Sequence, residues 1–296
     1  MKKNIENLVF KGGGVLGTAY AGAIQALDEE GMLNNIRAVA GTSAGAIMAT
    51  LLSLKYTPSE IKKIMNTANY SEFEDRWDPL RITTKYGLYK GEYFLKWIKK
   101  IIKEKTNNAN ITFSELSSLG YRDLKVYATD LNAYDVKEFS EETTPDVRVS
   151  ESIRASMSIP FLFTAWQFTD DNPDNHIYVD GGTLYNYPIT AFKDISKTLG
   201  FFLDDGEKVK NSKLGYNEIT KYTKTLFKTL MRSQDIEFKR NPIENSITVK
   251  IDSLGVAAID FNISKKTKDQ LYESGLESTK KHLKTMDNRI GDLFSN

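Results

Sequence analysis

Glycine clusters placed directly after short apolar runs constrain this chain more than any other feature. Gly12-Gly13-Gly14-Val15-Leu16-Gly17 follows residues 5–10, Gly41-Thr42-Ser43-Ala44-Gly45 follows residues 36–40, and Asp180-Gly181-Gly182 follows residues 177–179. The apolar runs have the length and composition of buried strands, and the first two clusters lead into helical patterns at 18–30 and 43–54. A strand that turns tightly into a helix, and does so repeatedly, predicts an α/β fold around a mostly parallel sheet. Ala19, Ala21, Gly22 and Ala23 would let the first helix pack closely.

The rest of the chain fits one such unit. Helices are expected at 58–66, capped by Thr57 and opened by Pro58, and at 91–105, 147–156, 216–240 and 264–286. Strands are expected at 124–129, 136–139, 198–203 and 246–251, with a turn at 170–175. No linker or repeat divides the 296 residues. The sequence reads as a single domain, 1–296, with its motifs between about 5 and 203 and a C-terminal helical cover over about 214–296.

Composition excludes several kinds of function. Lys and Arg number 40 against 39 Asp and Glu, a net charge of +1, which argues against a dedicated nucleic-acid binder. The chain has no cysteine, so disulfides, thiolate metal sites and cysteine nucleophiles are out. With two histidines, His176 and His282, a histidine-rich metal site is out as well. The N-terminal apolar stretch stops at Lys11, too short for a secretory signal. No run approaches the roughly 20 apolar residues of a spanning helix. The expectation is a cytoplasmic protein, or one exported without an N-terminal signal.

The chemistry concentrates on Ser43. G-x-S-x-G between a strand and a helix is the setting of a nucleophile on a sharp turn, with Gly41 and Gly45 small for steric reasons. The helix N-terminus behind Ser43 favours negative charge near its oxygen. The first cluster has the spacing of a dinucleotide loop. Such a loop wants an acidic residue after the following strand, and that position holds Gly41-Thr42-Ser43 instead. Backbone N–H groups aimed at an oxyanion are the better reading. Asp180 ends a strand, from which it can reach across the strand ends of a parallel sheet. Ser43 needs a base. His282 lies in a Lys-rich helical segment, and His176 sits at the far end of the strand leading to Asp180. The residues therefore favour a dyad in which Asp180 contacts Ser43 directly.

Taken in order, Gly12-Gly13-Gly14-x-x-Gly17, Gly41-x-Ser43-x-Gly45 and Asp180-Gly181-Gly182 resemble the patatin-like phospholipases. Arg154-Ala155-Ser156-Met157-Ser158-Ile159-Pro160 resembles the block that precedes the family's Asp-Gly-Gly strand, and Asn186 and Pro188 fit its N-x-P. The resemblance implies a three-layer α/β/α fold and lipid acyl-ester hydrolysis by a Ser-Asp dyad. Ser43 would be the nucleophile and Asp180 the base, with Gly12, Gly13 and Gly14 as the oxyanion hole. Gly17, Gly41, Gly45, Gly181 and Gly182 would shape the turns, and neither metal nor cofactor is needed. Some relatives depend on protein or small-molecule activators. One departure is Leu16, where many relatives carry Arg or Lys; its absence could lower the rate or relocate the role of that cation. Arg154 would steady the loops or face a lipid phosphate.

A lipid or phospholipid substrate implies transient, peripheral membrane contact. The aromatic stretches 70–77 and 161–163 could line an acyl pocket or pack in the core. The basic helix 216–240 could lie on an anionic membrane or cover the sheet. Two other readings stand beside the lipid hydrolase. One is a Ser-His-Asp esterase using His282. The other is a lipid-binding protein that kept the fold and lost turnover, with Leu16 as its supporting feature.

Overall fold

The computed structural model describes residues 4–168, 174–204 and 219–293. Its elements in chain order are β1 (Asn7–Phe10), α1 (Thr18–Glu29), β2 (Ala38–Thr42), α2 (Ala44–Ser53), α3 (Pro58–Thr67), α4 (Arg81–Lys85), β3 (Gly87–Tyr89), α5 (Glu92–Thr106), α6 (Phe113–Ser118) and β4 (Asp123–Asp130). There follow β5 (Asp135–Phe139), α7 (Val149–Ser156), β6 (Phe161–Phe163), β7 (Tyr178–Asp180), β8 (Thr198–Asp204), α8 (Ile219–Arg240), α9 (Pro242–Ser246), β9 (Thr248–Asp252) and α10 (Lys265–Leu293). Most of the expected turn at 170–175, and the expected helical residues 216–218, lie outside the described residues.

Five strands run parallel in the order β4-β2-β1-β8-β9, and β5 adds antiparallel to the outer edge of β4. Side chains alternate between the two faces of a strand, and the apolar residues divide accordingly. Leu8, Phe10, Val39, Val126, Phe201 and Leu203 point into the larger core. Val9, Ala40, Tyr127 and Phe202 point into a smaller one, closed by Tyr187, Ile189 and Phe238. Helices thus cover one face deeply and the other thinly.

On the thick side α1 packs against α10 with backbones almost touching. A Cβ on Gly22 would lie 1.8 Å from the Tyr272 carbonyl oxygen, and one on Gly275 1.9 Å from that of Ala19. The small residues of α1 do permit close packing, and the Lys-rich tail supplies its partner. Thr57 caps α3 as expected: its hydroxyl accepts from the Glu60 N–H while Glu60 accepts from the Thr57 N–H.

The sheet departs from expectation at β7. This strand is antiparallel to β4, pairing Ala128 with Asp180 and Asp130 with Tyr178. β5 occupies the other edge of β4 over the same residues, so β7 lies in the lane of β2. There β2 ends with Thr42 opposite Tyr127, one residue before Ala128. The two strands run toward each other along β4 and stop head to head. Asp180 does not reach across a neighbouring strand end; it arrives from the opposite direction in the same lane.

Candidate active site

Ser43 is the single residue between β2 and α2, and its turn is strained. Its φ of 54° and ψ of −123° are rare for a residue with a side chain. Close backbone contact holds it there. A Cβ on Gly41 would lie 2.2 Å from the Gly45 carbonyl oxygen, and one on Gly45 2.2 Å from that of Phe10. The Ser43 N–H donates to Ser156 Oγ at 2.8 Å, and that hydroxyl donates to the Tyr127 carbonyl at 2.6 Å. Ser43 is 4% exposed, and its Oγ rests 3.4 Å from Met157 Sδ.

Asp180 is 1% exposed. Its N–H donates to the Ser158 carbonyl at 2.8 Å, and its Oδ1 accepts from the Gly182 N–H at 2.7 Å. Burial pushes the carboxyl up to about 7 against the opposing effects of the Ser43 hydroxyl and the Gly182 N–H. The hydroxyl is near enough to ease that cost, yet Asp180 Oδ2 completes no hydrogen bond. Ser43 Oγ is turned toward the Met157 sulfur.

The first glycine cluster lies beside Ser43. A Cβ on Gly12 would come within 3.2 Å of Ser43 Cβ and 2.3 Å of Asn186 Oδ1. Of the three expected oxyanion donors, Gly12 already donates to the Asn186 carbonyl at 2.9 Å. The N–H groups of Gly13 and Gly14 donate to no described residue. Gly14 has φ +54°, and a Cβ there would lie 1.9 Å from the Ala258 carbonyl oxygen. A Cβ on Gly17 would meet Ala44 Cβ at 3.1 Å, and one on Gly181 the Tyr127 carbonyl oxygen at 2.4 Å. Gly182 adjoins both Asp180 and Asn186.

A family model described as Patatin-like phospholipase matches residues 8–193, which hold all of these groups. The chain belongs to that family. It is 31% identical over 299 residues to an uncharacterised protein of Acanthamoeba polyphaga mimivirus, covering 95% of each. It is 29% identical over 191 residues to Probable lipid hydrolase 463L of Invertebrate iridescent virus 6, covering 63% of each. The crystal structure of VipD from Legionella pneumophila shares the fold, with a TM-score of 0.71 at 17% identity over 96% of this chain and 67% of that one.

Other residues of this patatin-like chain find clear places. Arg154 is fully buried, donating to Ser158 Oγ at 2.6 Å, to the Lys90 carbonyl at 2.9 Å and to the Thr164 carbonyl at 3.2 Å. Burial lowers it to about 10. It ties the loops around Asp180 together rather than facing a ligand. His176 donates to or accepts from Asp130 Oδ2 at 2.7 Å, at the end of β7 away from Asp180. His282 lines a surface cleft with Lys250 of β9. From β2 to β9 there are three strand spacings, roughly 14 Å, so the Ser-His-Asp arrangement is not built. Among the described residues no cluster of three or more His, Asp or Glu could hold a metal ion, and no helix is long and apolar enough to cross a membrane.

Two of the three aromatic residues in 70–77 pack in the core. Tyr70 and Phe73 are buried in the core, Phe73 against Phe94 and Trp97, while Trp77 is exposed. A cavity of ≈ 70 Å³ lies between the glycine loop, α8 and residues 256–259. It reaches Gly12 and Gly13 but not Ser43. Asp235 of α8 pairs with Lys11 at 2.7 Å. Gln234 accepts from the Asn186 N–H at 2.7 Å and donates to the Gly182 carbonyl at 2.8 Å. No sequence motif marks these α8 contacts, because they join segments some fifty or more residues apart.

The apolar residues of α8 fall on two faces. Tyr222, Leu226 and Leu230 share a helical stripe yet are all exposed, whereas Phe227 and Phe238 face inward.

Proposed function

We propose that this chain hydrolyses lipid acyl esters through an acyl-serine intermediate, with Ser43 as nucleophile and Asp180 as base. The observation that carries this reading is the head-on meeting of β2 and β7, which brings a carboxyl with a pKa of about 7 beside a hydroxyl on a strained turn. A base is most effective when its pKa lies near the working pH. In solution an aspartate is too weak a base; burial makes this one stronger.

The reaction begins when Ser43 Oγ turns from Met157 toward Asp180 Oδ2. Oγ attacks the ester carbonyl as the carboxylate takes its proton. The N–H groups of Gly13 and Gly14 receive the negative charge that develops on the carbonyl oxygen, aided by the N-terminus of α2. Asp180 then gives the proton to the departing alcohol, leaving an acyl-serine. Water attacks the acyl carbon while Asp180 accepts its proton. The intermediate collapses to fatty acid and free serine, which recovers the proton. No step calls for a histidine.

Peripheral contact with a lipid surface belongs to the same proposal. Its support is the exposed Tyr222, Leu226 and Leu230 on α8, the helix that lies over the Asp180 turn.

The test is fatty-acid release from mixed phospholipid vesicles by wild type, Ser43→Ala and Asp180→Asn, read by mass spectrometry. Release by wild type alone supports the dyad. Failure of wild type to release fatty acid, together with failure of a fluorophosphonate to label Ser43, would overturn it and favour binding without turnover.

A further inference from the structure

The cavity beside the glycine loop holds a cation, Arg232, that the dyad does not explain. Its walls are mostly apolar, including Leu16, Met231 and Ile259. Its charged members are Lys11, Lys228, Arg232 and Asp235. Lys11 and Asp235 satisfy each other, and the Lys11 ammonium also donates to the Leu203 carbonyl at 3.2 Å and lies over the Phe202 ring. Arg232 is different. It is half-buried and makes no hydrogen bond or ion pair with any described residue. A guanidinium drawn partly out of water without a partner is costly, and its planar fork matches the oxygens of a phosphate. Lys228, one turn earlier on α8, stands at the same cavity. Leu16, where the sequence lacks a cation, lines it too.

We propose that Arg232, with Lys228, holds the phosphate of a glycerophospholipid substrate, so that α8 makes the enzyme selective for phosphate-bearing esters over neutral ones. The inference rests on the lipid-hydrolase reading and specifies its substrate class. In a glycerolipid the anionic group within a few bonds of an acyl ester is the phosphodiester. A phosphate seated at Arg232 leaves the neighbouring ester free to approach Gly13. Arg232 here recognises the substrate; the oxyanion remains the task of the backbone N–H groups.

Binding tests this without turnover. A short-chain diether glycerophosphocholine, used as a monomer, is titrated against wild type, Arg232→Ala, Arg232→Lys and, as a control for general charge loss, Lys281→Ala. The phosphate-free diether glycerol and glycerol 3-phosphate are titrated beside it. Charge-assisted hydrogen bonds of this kind correspond to roughly 10- to 100-fold in affinity. Wild type and Lys281→Ala should prefer the diether phospholipid over the diether glycerol by that factor. Arg232→Ala should lose the preference, and Arg232→Lys should keep part of it. Equal binding of both diethers by wild type, or an unchanged preference in Arg232→Ala, overturns the proposal. So does glycerol 3-phosphate binding as tightly as the lipid, which would assign the site to a free phosphate ester.

Kinetics separates the remaining alternative. The kcat/KM ratio of short-chain phosphatidylcholine to diacylglycerol should fall in Arg232→Ala through KM for the phospholipid. An equal loss of kcat on both substrates would place Arg232 at the oxyanion and overturn the proposal. Absence of hydrolysis and of Ser43 labelling in wild type defeats the hydrolase reading instead, with the binding data still deciding the phosphate site.

Discussion

Ser43 and Asp180 sit in a cradle built from backbone, while the helix that covers them is held by side chains. In the cradle, Gly41, Gly45 and Gly181 touch neighbouring carbonyl oxygens so closely that none could carry a Cβ without moving a strand. α8 rests on Phe227 and Phe238, on the Lys11–Asp235 pair, and on the bonds from Gln234 to the Gly182 carbonyl and the Asn186 N–H. Its outward stripe of Tyr222, Leu226 and Leu230 is left to solvent. Backbone contact fixes position and tolerates almost no substitution. Side-chain contact can be released and remade, which suits a cover over the buried Ser43.

The sharpest break of that contrast is at Ser43. Ser43→Gly should lower hydrolysis by at least about 10⁴-fold. It should also raise stability by about 1 kcal/mol, because glycine adopts the positive φ without strain. Urea melts and a lipid release assay read both; a less stable Ser43→Gly would mean that the turn is not strained. Next is the charge of Asp180. Its folded value of about 7 lies above the ordinary 3.8, so the folded protein binds the extra proton. Its contribution to stability is complete below about pH 4 and is lost as pH rises through 7, a change of about 4 kcal/mol. Activity should move the other way, rising with a midpoint near pH 7 as the base ionises. Asp180→Asn should flatten the stability profile and abolish the rate; a stability curve that stays as steep places the titrating group elsewhere.

Gly45→Ala should destabilise the fold by at least about 3 kcal/mol, since the new methyl group meets the backbone of β1. Gln234→Ala should act on the cover alone. Loss of its hydrogen bonds, about 1 kcal/mol, should speed hydrogen exchange in α8 several-fold and leave β1 and β2 unchanged. Equal acceleration in the strands would show that cover and cradle open as one unit.

What could be read in the sequence follows the same division. The turns at Gly12–Gly17 and Gly41–Gly45 announce themselves because each is a local problem: strand, bend and helix lie within a few residues. The β7 direction was invisible, since β7 is three residues long and its pairing with β4 depends on β5 having taken the other edge. The Gly12 N–H was expected to face an oxyanion and instead meets the Asn186 carbonyl, a contact between segments 174 positions apart. The apolar spacing of α8 puts Tyr222, Leu226 and Leu230 on one stripe, and they are exposed, because periodicity says which residues share a face, not which face is covered. Arg232 and residues 256–259 carry no motif; they become neighbours of the glycine loop only when α8 and the segment after β9 fold over it.

The head-to-head arrangement on β4 gives the proposed dyad an all-or-nothing character. Thr42 and Asp180 sit opposite consecutive residues of one strand, so the separation between Ser43 and Asp180 is counted in whole backbone units. A shift of β7 by one position would turn the Asp180 carboxyl to the other face of the sheet. Mutations in the surrounding core therefore have little scope to adjust the distance by degrees. They either leave the count intact or lose it, and drift in such a fold should act on the cover and the cavity, where positions vary continuously, while the pairing of Ser43 and Asp180 stays as it is.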